Sequence, residues 1–221
     1  MSNFNRMDMG FREYLIKQVG RPKGKAGKLI ARVMNIGLHK RLAKWSLKFI
    51  IIKPNFIILD IGCGGGGNIK RMAEIATDGK VFGVDISEAS VEVSEKINRK
   101  LIQKGRVEIK QATVSKLPFN KGMFDLVTGF QASLFWPDLV NDLKEIWRVL
   151  KPKGILLLSN EVYKCKNEKM RKKAENYSKL GNFSIHSPRE YEELLITAGF
   201  SEIQVYEKDD DGWITVIAGK K

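Results

Sequence analysis

The residues with the plainest chemical purpose lie between Ile58 and Asp85. The run Ile58-Leu-Asp-Ile-Gly-Cys-Gly-Gly-Gly-Gly67 carries an apolar stretch into a dense glycine turn, where Gly62, Gly64 and Gly67 satisfy G-x-G-x-x-G. Asp85 stands 18 residues after Gly67. Glycines at this spacing let the backbone turn tightly and approach a ligand with no Cβ in the way, and a following helix presents free N–H groups. An acid at the end of the next strand is placed to accept hydrogen bonds from a ribose. The constellation reads as a nucleoside-binding turn, and its spacing fits two kinds of nucleoside.

Charge separates the two. A dinucleotide sets an anionic pyrophosphate against the turn, where an acid would repel it. Asp60, just before the glycines, is such an acid. An adenosylmethionine ligand has no phosphate and brings an ammonium, a carboxylate and a sulfonium cation. Asp60 would support that positive charge and hold the loop through N–H bonds. On this reading Gly62, Cys63, Gly64 and Gly66 form the turn, Asp85 takes both ribose hydroxyls, and Ile86 packs on the adenine face.

The pattern around the turn implies the elements that must hold it. Residues 56–61 read as a buried strand, 68–77 as a helix and 81–85 as a second strand. Ser87 caps a helix reaching about Leu101, and 107–110 form a third strand. Residues 124–130 form a fourth, after the turn at Asn120-Lys-Gly122. Pro137 and Asp138 open a helix with apolar Leu139, Leu143, Ile146, Trp147 and Leu150, which ends at Lys151-Pro-Lys-Gly154. Residues 155–159 are a fifth strand. Ser187 and Pro188 open a last helix to about Ala198. Strands at 203–206 and 213–218 are joined by a turn so short that they must run antiparallel.

Strands alternating with helices require a parallel sheet covered on both faces. The expected fold is α/β: a Rossmann-like three-layer sandwich, its mostly parallel seven-stranded sheet closed by an antiparallel C-terminal hairpin. It occupies residues 54–221, and residues 1–53 form a basic helical extension or lid. Within that extension Leu38, Leu42, Trp45 and Phe49 recur at steps of a helix, with Lys40, Arg41, Lys44 and Lys48 largely opposite. His39, among these basic residues, reads as exposed.

Composition bounds the rest. The chain has 221 residues, 43% hydrophobic and 29% charged, ample for a single α/β domain. No apolar run approaches the roughly 18 residues a membrane helix needs. The polar start at residues 1–9 lacks a signal-peptide core, so a cytoplasmic protein is expected. Cys63 and Cys165 are the only cysteines, with no paired spacing for zinc, and read as reduced thiols. The net charge of +14 is lopsided: residues 1–53 hold 13 Lys and Arg against 2 acids. Such a patch attracts a phosphate-bearing substrate, an acidic membrane surface or nucleic acid, or is simply a solvated helical face.

Several motifs in order match one family. Asp60-Ile-Gly-Cys-Gly-Gly-Gly66 resembles the first motif of class I S-adenosylmethionine-dependent methyltransferases, and Val84-Asp-Ile-Ser87 resembles their second. Leu117-Pro-Phe119, Phe124-Asp-Leu-Val127 and Arg148-Val-Leu-Lys-Pro-Lys-Gly154 follow the same family, as does the antiparallel terminal hairpin. The resemblance covers roughly residues 55–219 and is nearest to the small-molecule branch that includes ubiquinone and menaquinone biosynthesis methyltransferases. It implies S-adenosylmethionine as cofactor and S-adenosylhomocysteine as product. That branch usually places an Asp against the adenine where this chain has Thr113; the Thr113 hydroxyl or the Val114 N–H would take its place.

Methyl transfer from a sulfonium is an in-line displacement that needs alignment and exclusion of water more than a protein nucleophile. The acceptor is expected above the ends of the fourth and fifth strands, walled by Phe130, Gln131, Ser133, Phe135 and Trp136. Glu161, Tyr163 and His186 are the candidate bases. The motifs of amino-directed nucleic-acid, cytosine-C5 and arsenite methyltransferases are missing, which leaves a small organic acceptor, anionic or lipid-like. Residues 164–187, with 7 Lys and Arg against 2 Glu, would add a second basic wall. The alternatives are an RNA- or protein-directed methyltransferase using the basic extension, a non-catalytic adenosylmethionine binder, or a nicotinamide oxidoreductase.

Overall fold

The computed structural model describes residues 18, 20–34, 38–180 and 183–221; the part of the helical extension expected at residues 1–17 lies outside them. The described extension contains α1 (Gly24–Met34) and α2 (Leu38–Ser46), the latter running into a 3-10 turn at Leu47–Phe49. The domain then follows as β1 (Ile57–Ile61), α3 (Gly67–Ile75), β2 (Lys80–Asp85), α4 (Glu88–Gln103), β3 (Val107–Gln111), β4 (Phe124–Phe130), α5 (Leu139–Val149), β5 (Leu150–Asn160), α6 (Glu168–Leu180), α7 (Pro188–Thr197), β6 (Ser201–Lys208) and β7 (Trp213–Gly219).

All seven strands form one sheet in the order β3-β2-β1-β4-β5-β7-β6. Strands β1 to β5 pair in parallel, and β7 runs antiparallel to both neighbours. After β6 reaches the edge, the chain folds back and inserts β7 between β5 and β6, so β7 is the one reversed strand of the sheet.

The central strands are buried on both faces, and their alternation sorts residues into two cores. Leu59, Ile61, Phe82, Val84 and Val127 pack on one side with Leu143 and Ile146 of α5 and Leu195 of α7. Ile58, Val81, Leu126 and Leu157 pack on the other with Ile69 and Met72 of α3 and Ala43 of α2. Phe82, Phe119 and Phe124 meet edge to face with centroids 5.0–5.5 Å apart, the arrangement ring quadrupoles favour.

Strand β5 begins at Leu150, earlier than the expected 155, and Leu150 belongs to it rather than to the preceding helix. Leu150 pairs with Phe124, and a register shift between Phe124 and Leu126 absorbs the Lys151-Pro-Lys-Gly segment, with Lys153 at φ 64°.

The helix starts follow the capping residues. Ser87 accepts from Ser90 N at 3.2 Å. Ser187 accepts from Glu190 N at 3.3 Å while its own N–H donates to Glu190 Oε2 at 2.6 Å, a reciprocal capping box with Pro188 in the first turn. Replacing Ser187 with Ala removes one of these bonds, and chemical denaturation should show a loss of about 1 kcal/mol.

Candidate cofactor and acceptor site

A cavity of about 500 Å³ opens above the carboxyl ends of β1, β2 and β4. The sheet order reverses between β1 and β4, which is where open α/β sheets leave a crevice for ligands. The volume lies in the range of small-molecule and cofactor pockets.

The glycine turn forms one end. Gly62 and Gly64 hold φ at 68° and 52°, a left-handed geometry that a Cβ disfavours. A Cβ on Gly62 would stand 2.7 Å from the Ala132 Cβ, whereas beside Gly64 nothing lies within 4 Å. The first position is crowded by the fold and the second is left clear at the cavity wall. Gly62 N and Cys63 N donate to Val84 O at 2.8 and 3.0 Å, tying the turn to the end of β2. Asp85 completes it: Oδ2 accepts from Gly64 N at 2.9 Å and Oδ1 from Ser87 N at 2.8 Å. A carboxylate offers about four acceptor sites, so two such bonds leave capacity for a ribose diol. Burial pushes the Asp85 carboxyl above its ordinary value, and its two N–H bonds act the other way.

Of the residues expected to hold the cofactor, Gly62, Cys63, Gly64, Asp85, Ile86, Thr113, Val114 and Phe130 all line this cavity. Ile86 keeps 38% of its surface exposed, an apolar face free to receive a flat ring. Asp60 and Gly66 do not line it. Along β1, Asp60 falls on the same side as Ile58, the face packed by α3, so it sits behind the turn rather than in front of it. There it is 2% exposed and accepts from Thr128 Oγ1 at 2.7 Å. Burial pushes its carboxyl up to about 7, with the Thr128 bond and Arg71 opposing and Asp85 adding to the rise. Asp60, expected to support the ligand's positive charge, is therefore not on the cavity wall; the acid there is Asp85. Gly66 is the N-cap of α3 at φ 78°, and its carbonyl accepts from Asn98 Nδ2 at 3.0 Å. A Cβ there would strike Ser94 Oγ and Asn98 Nδ2, so Gly66 serves the packing of α3 on α4.

The far end of the cavity is apolar and aromatic, with Phe135, Trp136, Tyr177 and Phe183 around Gln131 and Glu161. Phe135 meets Phe183 edge to face at 5.1 Å. Gln131 takes φ 58°, uncommon outside glycine, and is held there by Gln131 N donating to Ser159 O at 2.8 Å and by Glu161 N donating to its Oε1 at 2.8 Å.

The three candidate bases separate. Glu161 lines the cavity, and burial pushes its carboxyl up to about 7 against the pull of Lys173 and Gln131. Tyr163 lies outside the wall: it is 1% exposed and its hydroxyl donates to Asp209 at the terminal hairpin, which with burial raises its pKa. His186 also lies outside, its ring 5.3 Å from Tyr191 and its pKa lowered by burial.

The extension supplies wall residues that the sequence pattern does not predict. Gly20, Pro22 and Ala31, in and before α1, and His39 and Lys40 of α2 all reach the cavity. Ser87 Oγ donates to Pro22 O, and Lys28 pairs with Glu92, so the segment is fastened over the start of α4. His39 is half-buried at the wall rather than exposed. It stands three residues before buried Leu42, and that helical spacing is the signal that could have placed it.

Among the described residues no helix is long and apolar enough to cross a membrane. A family model described as a methyltransferase domain matches residues 52–219. The chain is 36% identical over 115 residues to the demethylmenaquinone methyltransferase of Symbiobacterium thermophilum, covering 50% of this chain and 46% of that one. It is 27% identical over 212 residues to the ubiquinone/menaquinone biosynthesis C-methyltransferase of Shewanella sediminis, covering 86% and 83%. Relatives at 35–42% identity are matched over only 29–46% of their own lengths. A solved S-adenosylmethionine-dependent methyltransferase from Aquifex aeolicus shares the fold, with a TM-score of 0.67, 20% identity and coverage of 95% and 98%. A Rossmann-like sheet with one reversed strand, a glycine turn closed by Asp85 and a family match spanning the whole domain lead to one assignment: the chain belongs to the methyltransferase-domain family, with the class I S-adenosylmethionine-dependent fold.

Proposed function

We propose that this protein transfers a methyl group from S-adenosylmethionine to a small organic acceptor. The observation that carries this is the division of one cavity into two chemically distinct ends. Gly64, Asp85 and Ile86 suit a nucleoside, and the aromatic walls around Gln131 and Glu161 suit an organic acceptor. Under this reading the turn, Asp85, Ile86, Thr113 and Val114 hold the cofactor, and Phe130 lies between the two ends.

When bound, the cofactor supplies an electrophilic methyl on a cationic sulfur. The chain has four tasks around it. Asp85 fixes the ribose, the glycine turn admits the amino-acid portion, and the aromatic walls align the acceptor. The extension excludes water, since Pro22, Ala31 and His39 line the cavity. Such positioning supplies on the order of 7–11 kcal/mol of barrier reduction without a protein nucleophile.

Calorimetry tests the reading. S-adenosylmethionine and S-adenosylhomocysteine should bind with comparable affinity and NAD should not; binding of NAD in preference to both would overturn it. The relatives named for demethylmenaquinone and for ubiquinone and menaquinone biosynthesis make a quinol-type aromatic the first acceptor to try.

The extension, residues 1–53, acts as a lid, and its basicity favours an acceptor that is anionic or presented at an anionic surface. Lys40 lines the cavity and Lys173 acts on Glu161, while the outer face of α1 leaves Leu29 and Val33 61% and 58% exposed beside Lys25 and Arg32. A basic helix with exposed apolar side chains is suited to the surface of a membrane. Sedimentation with anionic vesicles should show binding that weakens steeply between about 0.05 and 0.5 M salt, because the screening length shortens over that range. Equal binding to neutral vesicles would count against it. An RNA acceptor would instead give a steep salt slope in a gel-shift titration with RNA. The reading places the enzyme in the cytoplasm.

A further inference from the structure

Glu161 is buried at 8% exposure, yet its Oε1 has no hydrogen-bond partner among the described residues. A buried carboxylate oxygen left unpaired is costly, and here it lies at the wall of the acceptor end of the cavity. An imidazole from a different part of the chain faces it: His39 Nε2 stands 3.8 Å from that oxygen, and burial lowers the His39 pKa, which favours the neutral ring.

The approach of His39 is set by a buried contact on the same helix. Ser46 Oγ lies 2.7 Å from Ser159 Oγ and accepts from Thr215 Oγ1 at 2.9 Å, while donating to Leu42 O within α2. These hydroxyls lock α2 against β5 and β7. His39 is seven residues before Ser46, two helical turns along the same face. Glu161 is two residues after Ser159 and directly follows the end of β5 at Asn160. The docking of α2 on the end of β5 therefore brings both pairs together.

We propose that Glu161 is the catalytic base of this methyl transfer and that His39 is the positioning residue that orients its carboxylate, so the N-terminal extension completes the base as well as covering the cavity. The proposal rests on the methyltransferase reading above and narrows it to acceptors that must lose a proton from the attacking group. The acceptor atom X forms a bond to the methyl carbon as the C–S bond of the cofactor breaks, and the C–S electron pair stays on sulfur. The proton on X, or on the hydroxyl conjugated to a ring carbon that attacks, passes to the Glu161 carboxylate.

The surroundings favour this role. Burial pushes Glu161 up to about 7, close to the ambient pH at which a base works best. The groups facing it are Lys173 and Tyr177 of α6, Gln131 after β4, and His39 of α2. Lys173 holds the value down, and the Tyr177 phenol is raised by burial and by the negative charge of Glu161.

The test begins with calorimetry of S-adenosylmethionine on the wild type, Glu161→Gln, Glu161→Asp and His39→Ala, then measures single-turnover transfer to four probes. Naphthoquinol and phenol have a proton to lose; dimethyl sulfide and a tertiary amine have none. The expected result is wild-type transfer to a protic probe, with cofactor affinity retained in every variant. Glu161→Gln should lose at least about 10²-fold in rate, with partial rescue in Glu161→Asp. The wild-type rate should rise with pH through the Glu161 titration, and His39→Ala should move that limb alkaline by about one pH unit, which a purely structural role would not do. Transfer to the aprotic probes alone, or an unchanged rate in Glu161→Gln, overturns the proposal and leaves the methyltransferase reading standing. Absence of cofactor binding, or of transfer to all four probes, by the wild type overturns both.

Discussion

Replacing Asp85 with Ala should weaken S-adenosylmethionine binding by about 10²–10⁴-fold, because hydrogen bonds to a charged group contribute about 1.5–3 kcal/mol each and a ribose diol makes two. The same change also removes the acceptor that Gly64 N and Ser87 N share, at 2.9 and 2.8 Å, so the glycine turn loses its tie to the start of α4. Asp85→Asn keeps one carbonyl oxygen and should fall between the two. Calorimetry gives the affinities, and a thermal melt run alongside checks that the variant remains folded. An Asp85→Ala protein that binds the cofactor within threefold of the wild type would remove the ribose role from this residue.

Asp60→Asn should stabilise the protein at alkaline pH by about 2–4 kcal/mol and change it little at pH 4, since a tenfold change in proton affinity is worth about 1.4 kcal/mol. An acid raised to about 7 in the folded chain keeps its proton longer than it does unfolded, where it ionises near 4. Between those values the folded state binds more protons, so its stability declines as pH rises from about 4 to beyond 7 and is level outside that window. Glu161 contributes in the same direction, being raised to about 7 as well. Asparagine has no charge to bury and retains an oxygen for the Thr128 hydroxyl, so the decline should be shallower in the variant. Urea titrations at pH 4, 6 and 8.5 measure it. Equal slopes for the two proteins would mean that Asp60 is already ionised below neutrality.

The decisive carboxylate is not the one that charge alone selects. Charge logic applied to the sequence points to Asp60 as the acid that rejects a pyrophosphate. In the folded chain Asp60 is behind the turn with its carboxyl pushed up by burial, and Asp85 is the carboxylate on the cavity wall. Asp85 and the opening at Gly64 suit either nucleoside, so the ligand class now rests on the family match over residues 52–219. Strand parity supplies the missing step: Ile58 and Asp60 share a side of β1, and Ile58 is core.

The base candidates show the same division. Glu161, Tyr163 and His186 can each accept a proton, and nothing local in the sequence says which of them reaches the acceptor. The fold separates them through partners distant in the chain: Tyr163 meets Asp209 of the terminal hairpin, His186 packs on Tyr191 of α7, and Glu161 alone of the three reaches the cavity. His39 is connected to Glu161 only through the docking of α2, by way of Ser46, onto Ser159 and Thr215.

By itself the sequence determined the alternation of strands and helices, the glycine turn, the capping serines and the antiparallel hairpin, because each depends on neighbours a few residues apart and on periods of 2 or 3.6. Tertiary structure alone decided which acid lines the cavity, which candidate base reaches it, and which residues of α1 and α2 supply part of its wall. Those outcomes depend on which face each element turns inward and on contacts between residues more than a hundred positions apart, such as Ser46 with Ser159, which no local pattern encodes.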